Sequence, residues 1–495
     1  MRELPLTAPA AAAAGAAHVL DSPESTRRVI RGGLVRTAGY AMSVLAGIAA
    51  LPFLFRHLGV VDTGRYVIVV TVVTLVGSIV EAGFSAVSVR EFAVRPADEQ
   101  PALMRDLIGL RLAVFSAGAV IALIFMLCSG YPAILVAGAG FALVGAAMEN
   151  VSSTYGVWLS TSLNLGWLAA MQVVRQLVAV ALTVVLVIVR APLVYFFALL
   201  VLAGAAQFAI GLWATRGVIP HVPALRPRRW KELARRSAPY IAAMALGVVY
   251  FRTAMILMPL LSSDRETGYL GVPFRILEII TLVSVLLMSS AFPILARAAG
   301  RDRARHRYAL ARLTDVALIV GGAVALVAYM GAGPIVALLA GDGFERAGVA
   351  LEILSVSLAF KFVIAAWSLA LLSLDEYRGV LVANAAAMAV ALAATLVAVP
   401  PLGATGGAIA TAACDLVLVA GYGVLLVRRG ITLPWRTAGS VAIAGATAAG
   451  LAVALPMTGS ESALLGGATY LGVLAVLDAY PHELRQALPG GGRTS

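Results

Sequence analysis

The chain has 495 residues, 61% of them hydrophobic and only 13% charged, with a formal net charge of +12. Soluble domains are about half apolar and about a quarter charged, so this chain lacks the polar surface to cover itself in water. No polar tract is long enough for a separate soluble enzyme domain, and Cys128 and Cys414, both in apolar runs, exclude a disulfide scaffold or a cysteine metal cluster.

Residues 1–33 form an Ala-rich tail that begins Arg2-Glu3, with no net positive charge, and whose apolar stretch is alanine and proline. A flexible tail is expected there, not a signal peptide. Fourteen apolar runs near 20 residues follow, each long enough to cross a bilayer as a helix. They lie at 34–55, 66–87, 107–128, 133–154, 166–189, 192–213, 239–260, 268–291, 313–332, 349–373, 379–399, 404–427, 437–456 and 462–479. The connections are short. The expected architecture is an all-α polytopic membrane protein: a first six-helix lobe over 34–213, a basic linker over 214–238 and a second six-helix lobe over 239–427. Two further helices fill 428–480, and a second tail covers 481–495.

Basic residues set the orientation. With the N-terminus inside, inner segments hold 27 arginines and lysines and outer segments hold 5. That bias is what the positive-inside rule demands, so a multi-pass protein with both termini in the cytoplasm is expected. The same clustering accounts for the basic net charge through anionic headgroups, without a nucleic-acid partner. Of the 37 basic residues only Lys231 and Lys361 are lysine.

An internal duplication is visible. Residues 74–84 read TLVGSIVEAGF and residues 281–292 read TLVSVLLMSSAF, 207 positions apart. Each follows a turn with Gly and Tyr (Gly64-Arg65-Tyr66, Gly268-Tyr269), and the helix before each carries a proline, Pro52 or Pro259. Two parallel copies of one bundle are a recurrent transporter plan, in which the lobes rock about a site at their interface.

String matches extend along nearly the whole chain. Phe55-Arg56-His57-Leu58-Gly59 with Gly64-Arg65-Tyr66, Glu81-Ala82-Gly83-Phe84 with Arg90, and Arg275-Ile276-Leu277-Glu278 with Ala291-Phe292-Pro293-Ile294-Leu295-Ala296 come in order. Gly341-Asp342-Gly343-Phe344 and Pro401-Leu402-Gly403-Ala404 come after them. With these the chain resembles the polysaccharide-transporter branch of the multidrug/oligosaccharidyl-lipid/polysaccharide (MOP) exporter superfamily, the O-antigen-type flippases of lipid-linked oligosaccharides. The resemblance implies flipping of an undecaprenyl-diphosphate-linked sugar from the inner to the outer leaflet for extracellular polysaccharide assembly. It implies membrane lipids, glycosyltransferases and a polysaccharide polymerase as partners, and no cofactor.

Five basic residues lie within the expected spans: Arg111, Arg175, Arg252, Arg275 and Lys361. A lone charge at the bilayer centre costs about 2.5–3.5 kcal/mol on insertion scales, so each should face a cavity or a partner. Guanidinium forks suit phosphate oxygens and stay charged in any environment. Arg252, mid-span, Arg175, flanked by Gln172 and Gln176, and Arg275 are therefore the candidate diphosphate-binding residues. Arg36 joins them because the family's cationic cavity draws on the first helix. Arg275 has Glu278 on the same helix face as an alternative, purely neutralising partner. Arg111, one turn inside its span, is expected to snorkel to the headgroups, and Glu81 to end its helix beside them. Asp415, mid-span, is the candidate coupling acid for a proton or sodium, with a salt bridge to Lys361 as the structural alternative.

Two other readings are open. A drug exporter or peptidoglycan-precursor flippase of the same superfamily would share the fold, although an exporter of organic cations needs an acidic, aromatic cavity. A membrane polymerase or ligase needs a sizeable outer loop, and 333–347 offers only Asp342, Glu345 and Arg346. No metalloprotease motif or nucleophile elbow is present, so an enzyme is not expected.

Overall fold

The computed structural model describes residues 23–477 apart from 97, 163, 225, 290–294, 296–302 and 455–458. The Ala-rich tail up to residue 22, most of the string at 291–296 and the tail at 481–495 lie outside the described residues. Every expected span falls on a helix. The first two are arms of one continuous helical stretch, Pro23–Val94, broken at Gly59: α1 (23–58) and α2 (60–94). Gly59 has a φ of 65°, a left-handed conformation that a residue without Cβ enters freely. The apolar part of that stretch, Arg36–Ala82, has 47 residues. Straight, it would run about 70 Å, more than twice the hydrocarbon thickness; it folds back at Gly59, and both arms line one cavity.

The remaining helices are α3 (Gln100–Cys128), α4 (Ala133–Thr161), α5 (Leu165–Ile188), α6 (Leu193–Ala214), α7 (Pro227–Leu261) and α8 (Asp264–Ser289). Then come α9 (Arg303–Met330), α10 (Glu345–Ser373), α11 (Tyr377–Leu402), α12 (Ala404–Arg428), α13 (Trp435–Ala454) and α14 (Gly459–Val476). A nine-residue elbow helix, Ala332–Ala340, joins α9 to α10. Among the described residues eleven helical stretches, the doubled first one included, are long and apolar enough to cross a membrane. The fold is all-α and polytopic.

Three helix starts precede the expected spans by ten residues or more. Helix α1 begins at Pro23, a residue whose backbone fits a first helical turn. Helices α7 and α9 begin at Pro227 and Arg303, inside the basic segments. Hydropathy marks only the apolar turns, whereas the helical hydrogen bonds continue through the basic turns that flank them.

Packing sorts the helices. Val69, Val72, Phe115, Leu135 and Phe197 form one core between α2, α3, α4 and α6. Phe362, Ala366, Trp367, Ala387 and Leu418 form another, between α10, α11 and α12. Helices α13 and α14 lean on α9 through Ile319, Ala444 and Tyr470, and the Tyr470 hydroxyl donates to the Ile319 carbonyl at 3.0 Å.

The two halves meet tightly at one end. A methyl group on Gly64 would run into the Asp264 carbonyl, and one on Gly268 into the Val60 carbonyl. The contact is reciprocal: Val60 and Asp264, like Gly64 and Gly268, are 204 positions apart. Glycines at such a crossing let two backbones touch. Polar contacts reinforce this end: Arg65 Nε donates to Asp264 at 2.8 Å, and the Tyr131 hydroxyl to the Ile256 carbonyl at 2.6 Å. Arg56 donates to the Ala337 and Leu338 carbonyls at 3.1 and 2.9 Å, capping the elbow helix.

Candidate functional site

Away from the Gly64–Gly268 crossing, helices α1, α2, α4, α5, α6 and α8 separate around a cavity of about 510 Å³. Along α1 its wall runs from Tyr40 to Leu54, about 21 Å of helix rise. Helical periodicity brings the polar side chains to it. On α5, Gln172, Arg175, Gln176, Ala179 and Thr183 recur every three or four residues and form one wall. On α8, Arg275 and Glu278 share a face at i and i+3, with Ile279 and Leu282 continuing the wall.

Ion pairs tie the charged groups together. Glu278 serves two arginines at once: one carboxylate oxygen accepts from Arg252 of α7 at 2.6 Å and the other from Arg275 at 2.8 Å. Arg275 keeps 44% of its side chain open, while Glu278 and Arg252 retain 16% and 11%. Arg252 therefore stands behind Glu278 and is not itself among the lining residues. Across the cavity Arg175 lies 3.7 Å from Glu149 of α4, too long for a hydrogen bond, and its Nε has no acceptor. The Arg252 Nε is likewise without one. Two guanidiniums at this site thus hold buried, unspent donors, which calls for an acceptor-rich anionic ligand.

Two residues differ from their sequence expectation. Arg111 does not snorkel: its side chain is 3% exposed, pairs with Glu81 at 2.9 Å and donates to the Asn150 carbonyl at 3.1 Å. Glu81 does not end its helix near the headgroups but lines the cavity, because α2 continues helical for three more turns to Val94. Glu81 and Glu149 are thus site residues that the intramembrane arginines alone did not reveal. Their signal was there in the rarity of acids within apolar runs.

The other candidates lie elsewhere. Arg36 is exposed on α1, one turn before the lining residue Tyr40. Lys361 of α10 and Asp415 of α12 are not among the lining residues and pair with each other, Nζ to Oδ1 at 2.7 Å, with side chains 3% and 0% exposed. The ammonium also sits 4.4 Å from the centre of the Phe251 ring, a favourable cation–π placement. The structure therefore joins Arg175, Arg275 and Glu278 at one cavity, sets Arg252 in its wall and leaves Lys361 and Asp415 as a dry pair. Among the described residues no cluster of three or more histidine, cysteine, aspartate or glutamate side chains could hold a metal.

Comparison with known proteins agrees with this architecture. The chain is similar to a lipid II flippase, MurJ, solved in an inward closed conformation, with a TM-score of 0.71 at 13% identity over 90% of this chain and 98% of that one. It is similar to a multidrug resistance MATE family transporter of the MOP superfamily in an inward-facing conformation, with a TM-score of 0.61 at 14% identity over 80% and 97% of the two chains. A eukaryotic MATE transporter, AtDTX14, gives 0.54 at 13% identity over 86% and 100%. At such identities these likenesses speak for the fold. No curated protein sequence matches. The profile of the polysaccharide biosynthesis protein family matches residues 29–299, more than half of the chain. By that match the chain belongs to the polysaccharide biosynthesis protein family, and its fold is that of the MOP-superfamily transporters.

Proposed function

We propose that this protein flips an undecaprenyl-diphosphate-linked oligosaccharide from the inner to the outer leaflet of a bacterial cytoplasmic membrane, with both termini in the cytoplasm, by alternating access. The observation that carries the reading is the arginine-walled cavity at the junction of the two helix sets, where Arg175, Arg252 and Arg275 converge and two buried Nε donors lack acceptors. A diphosphate supplies the oxygens that those forks lack. The lobes over 34–213 and 239–427 rock about the cavity, and the reciprocal crossing of Gly64 and Gly268 supports their descent from one bundle. With both termini inside, that crossing would close the outer end and the cavity would face the cytoplasm. Glycosyltransferases supply the substrate and a polymerase consumes it; the protein itself performs no bond chemistry.

A peptidoglycan-precursor flippase is the second reading, favoured by the fold likeness to the lipid II flippase; membership of the polysaccharide biosynthesis family favours the first. A cation-coupled drug exporter fits less well. Counting Arg111 and Arg252 with the groups that they pair with, the site has four arginines against three glutamates. An exporter of organic cations needs the opposite balance.

The test is translocation in proteoliposomes that hold the purified protein, with a short-chain polyprenyl-diphosphate sugar as probe. The wild type moves this probe and not a neutral glycolipid or an organic cation. Arg252→Ala abolishes movement and Arg252→Lys retains part of it. Equal transport of the neutral glycolipid would remove the diphosphate reading.

A further inference from the structure

One carboxylate in the cavity wall is asked to do too much. Glu278 uses both its oxygens on Arg252 and Arg275, at 2.6 and 2.8 Å, so it occupies one donor of each guanidinium and part of the positive charge that a diphosphate would use. The other two glutamates do not obstruct in this way. Glu81 engages Arg111, which is buried behind it, and Glu149 stands 3.7 Å from Arg175 without a hydrogen bond. A ligand can reach Arg175 and the open face of Arg275 directly, but it reaches Arg252, which stands behind Glu278, only by displacing that carboxylate.

Charge decides the fate of the displaced carboxylate. The four arginines and three glutamates of the site leave one net positive charge. A sugar-linked diphosphate is a diester with one strong acid on each phosphate, and so carries two negative charges at any physiological pH. The occupied site would hold an uncompensated negative charge within the membrane, and the displaced Glu278 would be the carboxylate that lost both of its cations. A carboxylate stranded in a low-dielectric wall takes a proton instead of staying charged. With that proton the site has two net positive charges, and the loaded cavity is neutral as it reorients.

We propose that Glu278 is a substrate-displaced counter-ion: it clamps Arg252 and Arg275 in the empty protein, yields them to the diphosphate while taking one proton from cavity water, and returns that proton when the substrate leaves. The step makes one O–H bond on Glu278 and breaks one in hydronium, with no oxidant or further reactant. This assignment rests on the flippase reading and adds the residue that sets its proton stoichiometry. It makes Glu278 a positioning residue whose charge, and not only its shape, matters.

The groups that face Glu278 are few. Its own helix supplies Arg275, and α7 supplies Arg252. From α2 come Tyr66 and Glu81, the latter held by Arg111 of α3; Tyr40, Glu149 and Arg175 line the cavity from α1, α4 and α5. Helices α10 and α12, which also pack on α8, hold Lys361 and Asp415 within their spans, neutralised by each other at 2.7 Å. The remaining charges of these two helices are Glu345, Arg346 and Glu352 in the first turns of α10 and Arg428 at the end of α12.

The experiment measures binding of a short-chain polyprenyl-diphosphate-linked hexose to the full-length protein in nanodiscs, from mildly acidic to mildly alkaline pH. The probe's own charge is constant across that range. Linkage of one proton predicts wild-type affinity falling by up to about tenfold per pH unit as pH rises through the titration. Glu278→Gln should bind at alkaline pH as tightly as the wild type does at acidic pH, with a flat profile and slower net translocation. Glu278→Asp, which keeps a carboxylate, should keep the slope, and Glu149→Gln should bind more tightly yet keep it. A Glu278→Gln profile that retains the wild-type slope, or weaker binding by that variant with its fold intact, would overturn the proposal while leaving the flippase reading standing. A wild type that binds the probe at no pH would instead remove the flippase reading, and this inference with it.

Discussion

Two clusters of intramembrane charge lie near Phe251 and are built differently. In one, Arg252, Glu278 and Arg275 form a wall that opens progressively toward the cavity, from 11% to 44% side-chain exposure. In the other, Lys361 and Asp415 are sealed at 3% and 0%. Sequence alone makes the two look alike, since each is a basic residue and an acid within apolar helices. Their surroundings assign them different work. Charges beside a cavity with spare donors are placed to exchange partners, whereas a sealed one-to-one pair is placed to hold α10 against α12.

Removing one member of the dry pair puts this distinction under the greatest strain. Lys361→Ala should destabilise the protein by about 3–5 kcal/mol, because Asp415 is left buried without its cation. Thermal unfolding in detergent reads the loss. The apolar double replacement Lys361→Met with Asp415→Leu should recover most of it. A coupling role for Asp415 predicts instead that the double variant is stable but unresponsive to the pH or sodium gradient.

On the cavity side, Arg275→Ala should leave stability nearly unchanged and lower translocation about ten- to hundredfold, the worth of charge-assisted hydrogen bonds of about 1.5–3 kcal/mol. Initial rates in proteoliposomes check it. The tight junction offers a third test. Gly64→Ala places a methyl against the Asp264 carbonyl, and overpacking of this kind costs about 1–3 kcal/mol. The crossing should loosen, so that a cysteine at Tyr66, in a Cys128→Ser background, reacts faster with an impermeant thiol reagent from the outer side. The smallest effect is expected at Arg56, whose replacement by Ala uncaps two carbonyls of the elbow helix. A loss of about 1 kcal/mol is expected in thermal unfolding, with transport retained.

Hydropathy made the span order legible, because a bilayer fixes both the length and the apolarity of whatever crosses it. Gly59, which splits Pro23–Val94 into two arms, was legible as a gap between apolar runs. The elbow helix Ala332–Ala340 was not: nine apolar residues after α9 add no polar boundary to mark them. At the site, the Arg275–Glu278 pair could be read from i,i+3 spacing, and Lys361–Asp415 from the scarcity of other buried charges. The second hold on Glu278, by Arg252 of a neighbouring helix, could not. Nor could Glu81–Arg111 or Glu149–Arg175, since each joins helices whose facing surfaces only the folded bundle defines. Arg111 illustrates the physical reason. Its depth in the span permits snorkelling, but an acid three helical turns from the end of α2 gives it a nearer partner.

Whether cavity charge moves the substrate while the dry pair only holds the fold can be decided by one side-by-side measurement. Translocation of a polyprenyl-diphosphate-linked hexose is followed in vesicles that hold Arg275→Ala or the Lys361→Met, Asp415→Leu double variant, at matched protein density. Near-complete loss is expected in the first and near-wild-type rates in the second. Normal flipping by Arg275→Ala together with loss in the double variant would reverse the assignment of the two clusters.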